Sequence, residues 1–261
     1  MIKTIIFDLD DTLLWDKKSV EVAFQETCQF AAKKLQIDPA LLEEAVRFEA
    51  SELYASYETF PFTKMIGINP FEGLWGTFDD VGEQFQKMKE IVPGYRIEAW
   101  TRGLRRMDID DPELGKQLAE YFPKARKANP FIYKETFQVL ERLKDYYQLV
   151  LLTNGSPTLQ KTKLEITSEI APYFTHIIIS GAFGRGKPDP SIFEFALSQS
   201  NLQADEAIMV GDNLMTDILG ASRAGIRSVW INRELKQPDK EVKPTYEITN
   251  LEELFSILEN L

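Results

Sequence analysis

The chain has 261 residues, of which 44% are hydrophobic, and its formal charge at pH 7 is −11. A chain of this length can bury one large core, or a core and a smaller companion domain. Because nonspecific binding to nucleic acid or to an anionic membrane requires a basic protein surface, we expect neither partner. A small phosphorylated substrate remains compatible, since a metal ion and one or two cations can reverse the local field.

The sequence has no run of about 18 apolar residues and no secretory signal pattern at its start. Its single cysteine, Cys28, cannot form a disulfide within the chain, which is typical of a reducing compartment. We therefore expect a cytoplasmic protein that acts on a small molecule. A monomer and a homodimer are both compatible with the sequence.

The first predicted element is a buried strand from Thr4 to Asp8, which ends abruptly in carboxylates. Asp8, Asp10 and Asp11 follow three apolar residues without a spacer. Residues two apart on an extended chain project to the same side, so Asp8 and Asp10 can share a site while Asp11 points away. The strand end is therefore a candidate functional position.

Residues 16 to 128 have helix-spaced apolar residues, most clearly in 18–35 and 39–57, and no convincing strand. They separate the first strand from the later ones by more than a hundred residues, too many for a loop in a compact domain. We therefore predict a helical cap domain over 16–128. The core domain is predicted over 1–15 and 129–261, where a new amphipathic helix follows Asn129.

The rest of the chain alternates between short apolar runs and helical patterns such as 191–200 and 216–225. This alternation predicts an α/β fold with a doubly wound parallel sheet, into which an all-helical domain is inserted. The later strands are predicted at Leu149 to Thr153, His176 to Ser180, Ala207 to Gly211, and Ser228 to Ile231.

Polar residues follow four of the predicted strands, at the sheet edge where ligands bind in doubly wound folds. They are Asp8 and Asp10; Thr153, Asn154 and Gly155; Gly186, Lys187 and Pro188; and Gly211 and Asp212. Crowded carboxylates raise the free energy unless a cation lies among them, and oxygen ligands favour Mg²⁺. The chain has no histidine cluster and no CxxC pair, so the usual zinc and iron arrangements are excluded.

Lys187 and the segment Thr153 to Gly155 complete the predicted chemistry. A phosphoryl group that approaches a carboxylate nucleophile needs its charge offset, and a lysine together with a metal can do this. A hydroxyl, an amide and the N–H groups of a loop can hold phosphate oxygens. The only histidine, His176, begins the third strand at the end away from these residues, and we interpret it as structural.

Four motifs in this order resemble those of the haloacid dehalogenase (HAD) superfamily of phosphohydrolases. They are DLDDT at 8–12, LLTNG at 151–155, GKPDP at 186–190 and GDNLMTD at 211–217. The helical insertion between the first two motifs is where type 1 caps of this family lie. The resemblance implies a Rossmann-like core with a cap, and a Mg²⁺-dependent phosphatase that forms an aspartyl-phosphate.

The resemblance also implies the catalytic roles. Asp8 would attack phosphorus, and Asp10 would protonate the leaving alcohol and later deprotonate the attacking water. Magnesium would be held by Asp8, by the backbone carbonyl of Asp10 and by Asp212. Lys187 would neutralise the intermediate.

The remaining implied roles concern binding and support. Thr153, with Asn154 and Gly155, would bind phosphate. Asp217 would orient Lys187 or a metal-bound water. Thr12 would shape the turn that presents Asp10.

Asp10 favours phosphoryl chemistry over dehalogenation, because family members that attack carbon do not have this second aspartate. A phosphomutase with the same core, and a phosphate-binding protein without turnover, remain alternatives. In the cap, Phe71 and Trp75 are candidates for lining the leaving-group pocket. The arginines 96, 102, 105 and 106 are interpreted first as helix-surface charges.

Overall fold

The computed structural model describes all 261 residues and contains one parallel sheet of six strands in the order β3-β2-β1-β4-β5-β6. The predicted α/β fold and its five strands are confirmed, while the short sixth strand was not predicted. The strands are β1 (Thr4–Phe7), β2 (Gln148–Thr153), β3 (His176–Ile179), β4 (Ala207–Gly211), β5 (Arg227–Ile231) and β6 (Tyr246–Ile248).

Twelve α-helices accompany the sheet, and none is long and apolar enough to cross a membrane. A π-helical turn, Leu214–Ile218, precedes the eleventh. The helices are α1 (Asp16–Leu35), α2 (Pro39–Ser56), α3 (Phe60–Ile66), α4 (Pro70–Gly73), α5 (Glu83–Arg105), α6 (Pro112–Ala128), α7 (Thr136–Leu143), α8 (Pro157–Ile166), α9 (Ser180–Phe183), α10 (Pro190–Ser200), α11 (Leu219–Arg223) and α12 (Leu254–Leu258).

The chain forms two compact units. The α/β unit comprises residues 1–15, 132–155 and 167–261, and it contains every strand. The helical unit comprises residues 16–131 and 156–166, so it includes α8 as well as α1 to α6. The domain boundaries given above stay a proposal.

The sheet of the α/β unit brings distant parts of the sequence side by side at β1. Ile6 of β1 pairs in parallel register with Val150 of β2 on one side and with Met209 of β4 on the other. All three side chains are buried, which explains the continuous apolar runs. Since the strands are parallel, the segments that follow β1, β2 and β4 emerge at the same edge of the sheet.

The helical unit has its own aromatic core. The ring of Phe24 lies 4.6 Å from the ring of Phe122 and 5.9 Å from that of Trp100, measured between centroids, and all three are fully buried. Tilted contacts between large rings combine extensive apolar burial with favourable ring electrostatics. The amphipathic pattern of the inserted segment is thereby explained by packing within this unit.

The helical unit also contains a network of four charged side chains, of which three are buried and Asp16 is partly buried. Arg126 donates to Asp16 at 2.7 Å, and Lys163 lies 3.0 Å from Glu72 and 3.8 Å from Asp16. Burial alone would raise the pKa of Asp16, but Lys163 and Arg126 outweigh it and lower that pKa. Two acids and two bases balance within the network, which makes the burial of these charges tolerable.

Candidate active site

Asp8 lies directly after β1, where the chain leaves the sheet. Its backbone N–H donates to the carbonyl of Val210 at 2.9 Å, which extends the pairing with β4 by one residue. Its side chain is only 9% exposed. The buried hydroxyl of Thr12 donates to Asp8 Oδ2 at 3.3 Å, and Asp11 has a φ of 59°, a left-handed conformation that turns the chain back.

Lys187 lies between two of the candidate carboxylates. Its Nζ is 2.6 Å from Asp8 Oδ1 and 2.6 Å from Asp217 Oδ1, and it donates to the carbonyl of Leu152 at 2.7 Å. Burial alone would lower the pKa of this lysine, but Asp217 and Asp8 outweigh it and raise the pKa. Lys187 is therefore a fixed cation whose neighbours hold its proton firmly.

The segment after β4 supplies two more carboxylates. Carboxylate oxygens of Asp8, Asp212 and Asp217 all lie within 4.8 Å of one another. The backbone N–H of Asn213 donates to Asp217 Oδ2 at 3.1 Å, and the indole of Trp230 donates to the carbonyl of Asp212 at 2.8 Å. These bonds hold the turn that carries both aspartates.

Gly211 is required by the closeness of this turn. A Cβ at this position would come within 2.3 Å of the carboxylate of Asp217, far inside contact distance. Any side chain would therefore displace the partner of Lys187. The close approach of Asp217 therefore explains why a glycine precedes Asp212.

The segment after β2 is fixed against the segment that carries Lys187. The Asn154 side chain donates to the carbonyl of Lys187 at 2.9 Å and accepts from its backbone N–H at 2.8 Å. Gly155 has a φ of 136°, and its N–H donates to the hydroxyl of Ser180 at 2.8 Å. Thr153 is 1% exposed. The loop therefore has one defined shape.

The electrostatics of the site favour a divalent cation. Burial raises the pKa of Asp8 to about 6; Lys187 opposes this shift, and Asp217 adds to it. Three close carboxylates face a single lysine, so negative charge remains in excess. An all-oxygen donor set fits magnesium, which proteins usually bind through only one or two carboxylates.

The sequence matches the family model described as haloacid dehalogenase-like hydrolase over residues 2–225. The chain belongs to the haloacid dehalogenase-like hydrolase family. The phosphoserine phosphatase of Thermus thermophilus is 32% identical, with 97% of this chain and 98% of the relative aligned. The predicted family and the predicted enzyme class, a phosphoric monoester hydrolase, are thereby confirmed.

Solved structures of the HAD fold align over almost the whole chain. The HAD-hydrolase YfnB from Bacillus subtilis, bound to magnesium, has a TM-score of 0.69 at 22% identity and covers 98% of both chains. A 2-haloacid dehalogenase from Pseudomonas syringae pv. tomato DC3000 has a TM-score of 0.61 at 25% identity, with 100% of this chain and 99% of that one covered. The same fold therefore also occurs in a protein named as a dehalogenase.

The structure brings several of the predicted residues together. Asp8, Lys187 and Asp212 lie together, and Thr12 contacts Asp8. The carboxylate of Asp10 is not among the three clustered carboxylates, and the roles assigned to Asp10 stay predictions.

Two residues have a larger part in the site than the sequence indicated. Asp217 was assigned a supporting role, yet its carboxylate belongs to the cluster of three; its spacing in GDNLMTD was the available signal. Ser180, which holds Gly155, was missed because nothing in the sequence connects the two positions.

Of the aromatic candidates of the helical unit, Trp75 belongs to its core, and Phe71 is partly buried against that core. Trp75 is 3% exposed and packs against the guanidinium of Arg126, and Phe71 packs edge-on against Phe24. Arg96 donates to the carbonyls of Gly73 and Gly76. A leaving-group role for Phe71 and Trp75 stays a prediction. The remaining three arginines form exposed ion pairs with glutamate or aspartate.

Proposed function

We propose that the protein is a Mg²⁺-dependent phosphatase that hydrolyses a small soluble phosphomonoester through an aspartyl-phosphate on Asp8. The observation that carries the proposal is the buried ammonium of Lys187, 2.6 Å from both Asp8 and Asp217. A fixed cation beside a carboxylate nucleophile offsets the charge of an arriving phosphoryl group. Membership of the HAD-like family supports the same reaction class.

In the first step, a carboxylate oxygen of Asp8 forms a bond to phosphorus while the bond from phosphorus to the substrate's alcohol oxygen breaks. Asp10 donates its proton to that oxygen, so the leaving group departs as a neutral alcohol. Lys187 stays beside Asp8 and offsets the negative charge of the phosphoryl group. Asp217 keeps the lysine charged and oriented.

In the second step, Asp10 acts as a base. It takes a proton from the attacking water, a water oxygen bonds to phosphorus, and the bond between phosphorus and the oxygen of Asp8 breaks. Inorganic phosphate is released, and the carboxylate of Asp8 and the proton of Asp10 are restored. Asp10 is therefore needed in both halves of the reaction.

We assign phosphate binding to the loop from Thr153 to Gly155. The hydroxyl of Thr153 and the loop backbone supply polar hydrogens next to Lys187. Because the Gly155 N–H donates to Ser180, the role we assign to Gly155 is to hold the shape of the loop. Asn154 contributes by its two bonds to the backbone of Lys187.

We assign the metal to Asp8, Asp212 and the backbone carbonyl of Asp10. Their oxygens suit magnesium, and the excess of negative charge at the site favours a divalent cation. When bound, the ion offsets carboxylate charge and polarises the phosphate group. The magnesium in the related fold of YfnB supports this choice.

Magnesium is expected to stabilise the protein against heat. A ligand at a hundred times its dissociation constant adds about 2.7 kcal/mol, which corresponds to a rise of roughly 5–10 °C in Tm for a protein of this size. Differential scanning fluorimetry with increasing Mg²⁺ measures the shift. Asp212→Asn should greatly reduce it, whereas Asp205→Asn, at an exposed aspartate of the same unit, should not. An equal shift in both variants contradicts the assignment.

The experiment that tests the proposed function is the release of p-nitrophenol from p-nitrophenyl phosphate. We expect turnover with Mg²⁺ and none after chelation. A 2-haloacid serves as the control substrate, because the fold also occurs in a dehalogenase. Halide release without p-nitrophenol release would refute the proposal.

The leaving group is proposed only as a class: a nucleotide, a sugar phosphate or a phospho-acid. The Thermus relative named phosphoserine phosphatase makes phosphoserine the first compound to assay. A phosphomutase would return an isomeric phosphate ester instead of inorganic phosphate, and a non-catalytic binding protein would release neither. Cytoplasmic location, a monomeric or homodimeric state, and the absence of nucleic-acid and membrane partners stay predictions.

A further inference from the structure

Asp80 binds the start of α8 with both carboxylate oxygens. Its Oδ1 accepts from the backbone N–H of Thr158 at 2.7 Å and from the Thr158 hydroxyl at 2.6 Å. Its Oδ2 accepts from the hydroxyl of Ser156. Asp80 and Ser156 lie 76 positions apart in the sequence. No role for Asp80 was predicted from the sequence.

These bonds satisfy groups that the beginning of a helix leaves without a helical partner. The first N–H groups of a helix point outward, and a carboxylate there is favoured by its charge as well as by hydrogen bonding. Ser156 is fully buried and accepts from the backbone N–H of Leu159 at 3.2 Å, in the manner of an N-cap. Since the same hydroxyl donates to Asp80, the aspartate fixes how Ser156 is oriented.

Ser156 directly follows the loop to which we assign phosphate binding. Within the loop, Asn154 is held by its two bonds to the backbone of Lys187, and Gly155 by its bond to Ser180. Gly155 has a φ of 136°, in the region that only glycine adopts readily, so the loop has an unusual backbone conformation just before Ser156. Asp80 adds a restraint on Ser156, the residue that follows this conformation.

We infer that Asp80 is a positioning residue for phosphate binding, which acts through Ser156 on the loop from Thr153 to Gly155. The inference rests on the proposed function, because it assumes that this loop binds phosphate. Asp80 need not touch the substrate. Its carboxylate sets the point at which α8 begins, and thereby the conformation of the loop that precedes the helix.

The test uses inorganic phosphate as a competitive inhibitor of p-nitrophenyl phosphate hydrolysis, because phosphate has no leaving group. Asp80→Ala should raise its inhibition constant and the KM about tenfold, with a smaller change in kcat. Tenfold corresponds to 1.4 kcal/mol, about the net contribution of one hydrogen bond to a charged group. Asp80→Asn retains an acceptor for the Thr158 N–H and should recover much of the affinity.

The matched control is Asp79→Ala, which removes the same charge from the adjacent position. Asp79 pairs with Lys89 at 2.8 Å and is half-exposed. Its replacement should leave the inhibition constant within about twofold, as expected for an exposed ion pair. A purely structural role for Asp80 would lower the Tm but leave the inhibition constant unchanged well below that temperature.

A double-mutant cycle with Ser156→Ala tests the route of the effect. If Asp80 acts through Ser156, the double variant should bind phosphate about as weakly as either single variant. Additive effects would overturn the route. An inhibition constant within about twofold of wild type for both Asp80 variants, or tighter phosphate binding, would overturn the inference.

The failure of this inference is distinguishable from the failure of the proposed function. If the wild type neither hydrolyses p-nitrophenyl phosphate nor binds phosphate, the proposed function is refuted. If the wild type does both and the Asp80 variants match it, only the role of Asp80 is refuted. Should Asp80→Ala fail to fold, Ser156→Ala carries the same comparison, since it removes the hydroxyl through which Asp80 acts.

Discussion

Replacing Asp8 with asparagine is expected to reduce phosphatase turnover by at least about a thousandfold, since an amide cannot replace a carboxylate nucleophile. The change is nearly isosteric. Lys187 keeps its ion pair with Asp217 at 2.6 Å, so the variant should fold. The measurement is the steady-state release of p-nitrophenol in the presence of Mg²⁺, together with a thermal melt that verifies folding.

The matched control for this variant is Asp11→Asn, the same chemical change three residues further on. Asp11 has a φ of 59°, a conformation that asparagine adopts with little strain, so the backbone turn should persist. We expect its turnover to stay within a few-fold of wild type. A large loss in Asp11→Asn, or substantial turnover in Asp8→Asn, would disprove the assignment of the nucleophile.

Replacing Lys187 with methionine is expected to impair both catalysis and stability. The change leaves the carboxylates of Asp8 and Asp217 buried without the cation that lies 2.6 Å from each. Breaking a buried ion pair by removing one partner typically costs about 3–5 kcal/mol of unfolding free energy. Turnover should fall at least about a hundredfold, because a fixed cation at the reacting phosphoryl group is lost.

Denaturant unfolding with and without Mg²⁺ separates these two effects. The double variant Lys187→Met with Asp217→Asn removes a cation and an anion together, so it should regain stability but not activity. Added Mg²⁺ should restore part of the stability of Lys187→Met, because the cation offsets the unpaired charge of the buried carboxylates. A free energy of unfolding for Lys187→Met within about 1 kcal/mol of wild type would contradict the account.

The convergence of the site was predictable because its residues follow strands. Asp8, Lys187 and Asp212 occur far apart in sequence, but each was placed after a short apolar run. Parallel strands bring such ends to one edge. Asp217 lies 2.6 Å from Lys187, and its role in orienting the lysine stays a prediction.

The features that were not predicted depend on tertiary contacts, which leave no periodic pattern of apolar residues in the sequence. β6 has only three residues, and Glu247 within it is exposed, so its apolar signal is weak. The network of Asp16, Glu72, Arg126 and Lys163 combines residues that each look like part of an ordinary helix surface. Only packing reveals that these charges lie together.

The contacts of Asp80 were also not predictable from the sequence. A pair of aspartates after a phenylalanine is typical of a surface loop, and Asp79 indeed forms an exposed ion pair. Ser156 before Pro157 does indicate the start of a helix. Nothing in the sequence shows that an aspartate 76 positions earlier binds that serine.

The most direct test of the central claim is the detection of a phosphoryl group on Asp8. In Asp10→Asn, p-nitrophenol can still leave without help from an acid, but no base remains to activate water, so the intermediate should accumulate. We would mix this variant with p-nitrophenyl phosphate and Mg²⁺, quench it with acid and analyse its peptides by mass spectrometry. The account predicts a burst of about one p-nitrophenol per active site and one phosphoryl group on Asp8. Release of p-nitrophenol with Asp8 unmodified would contradict it.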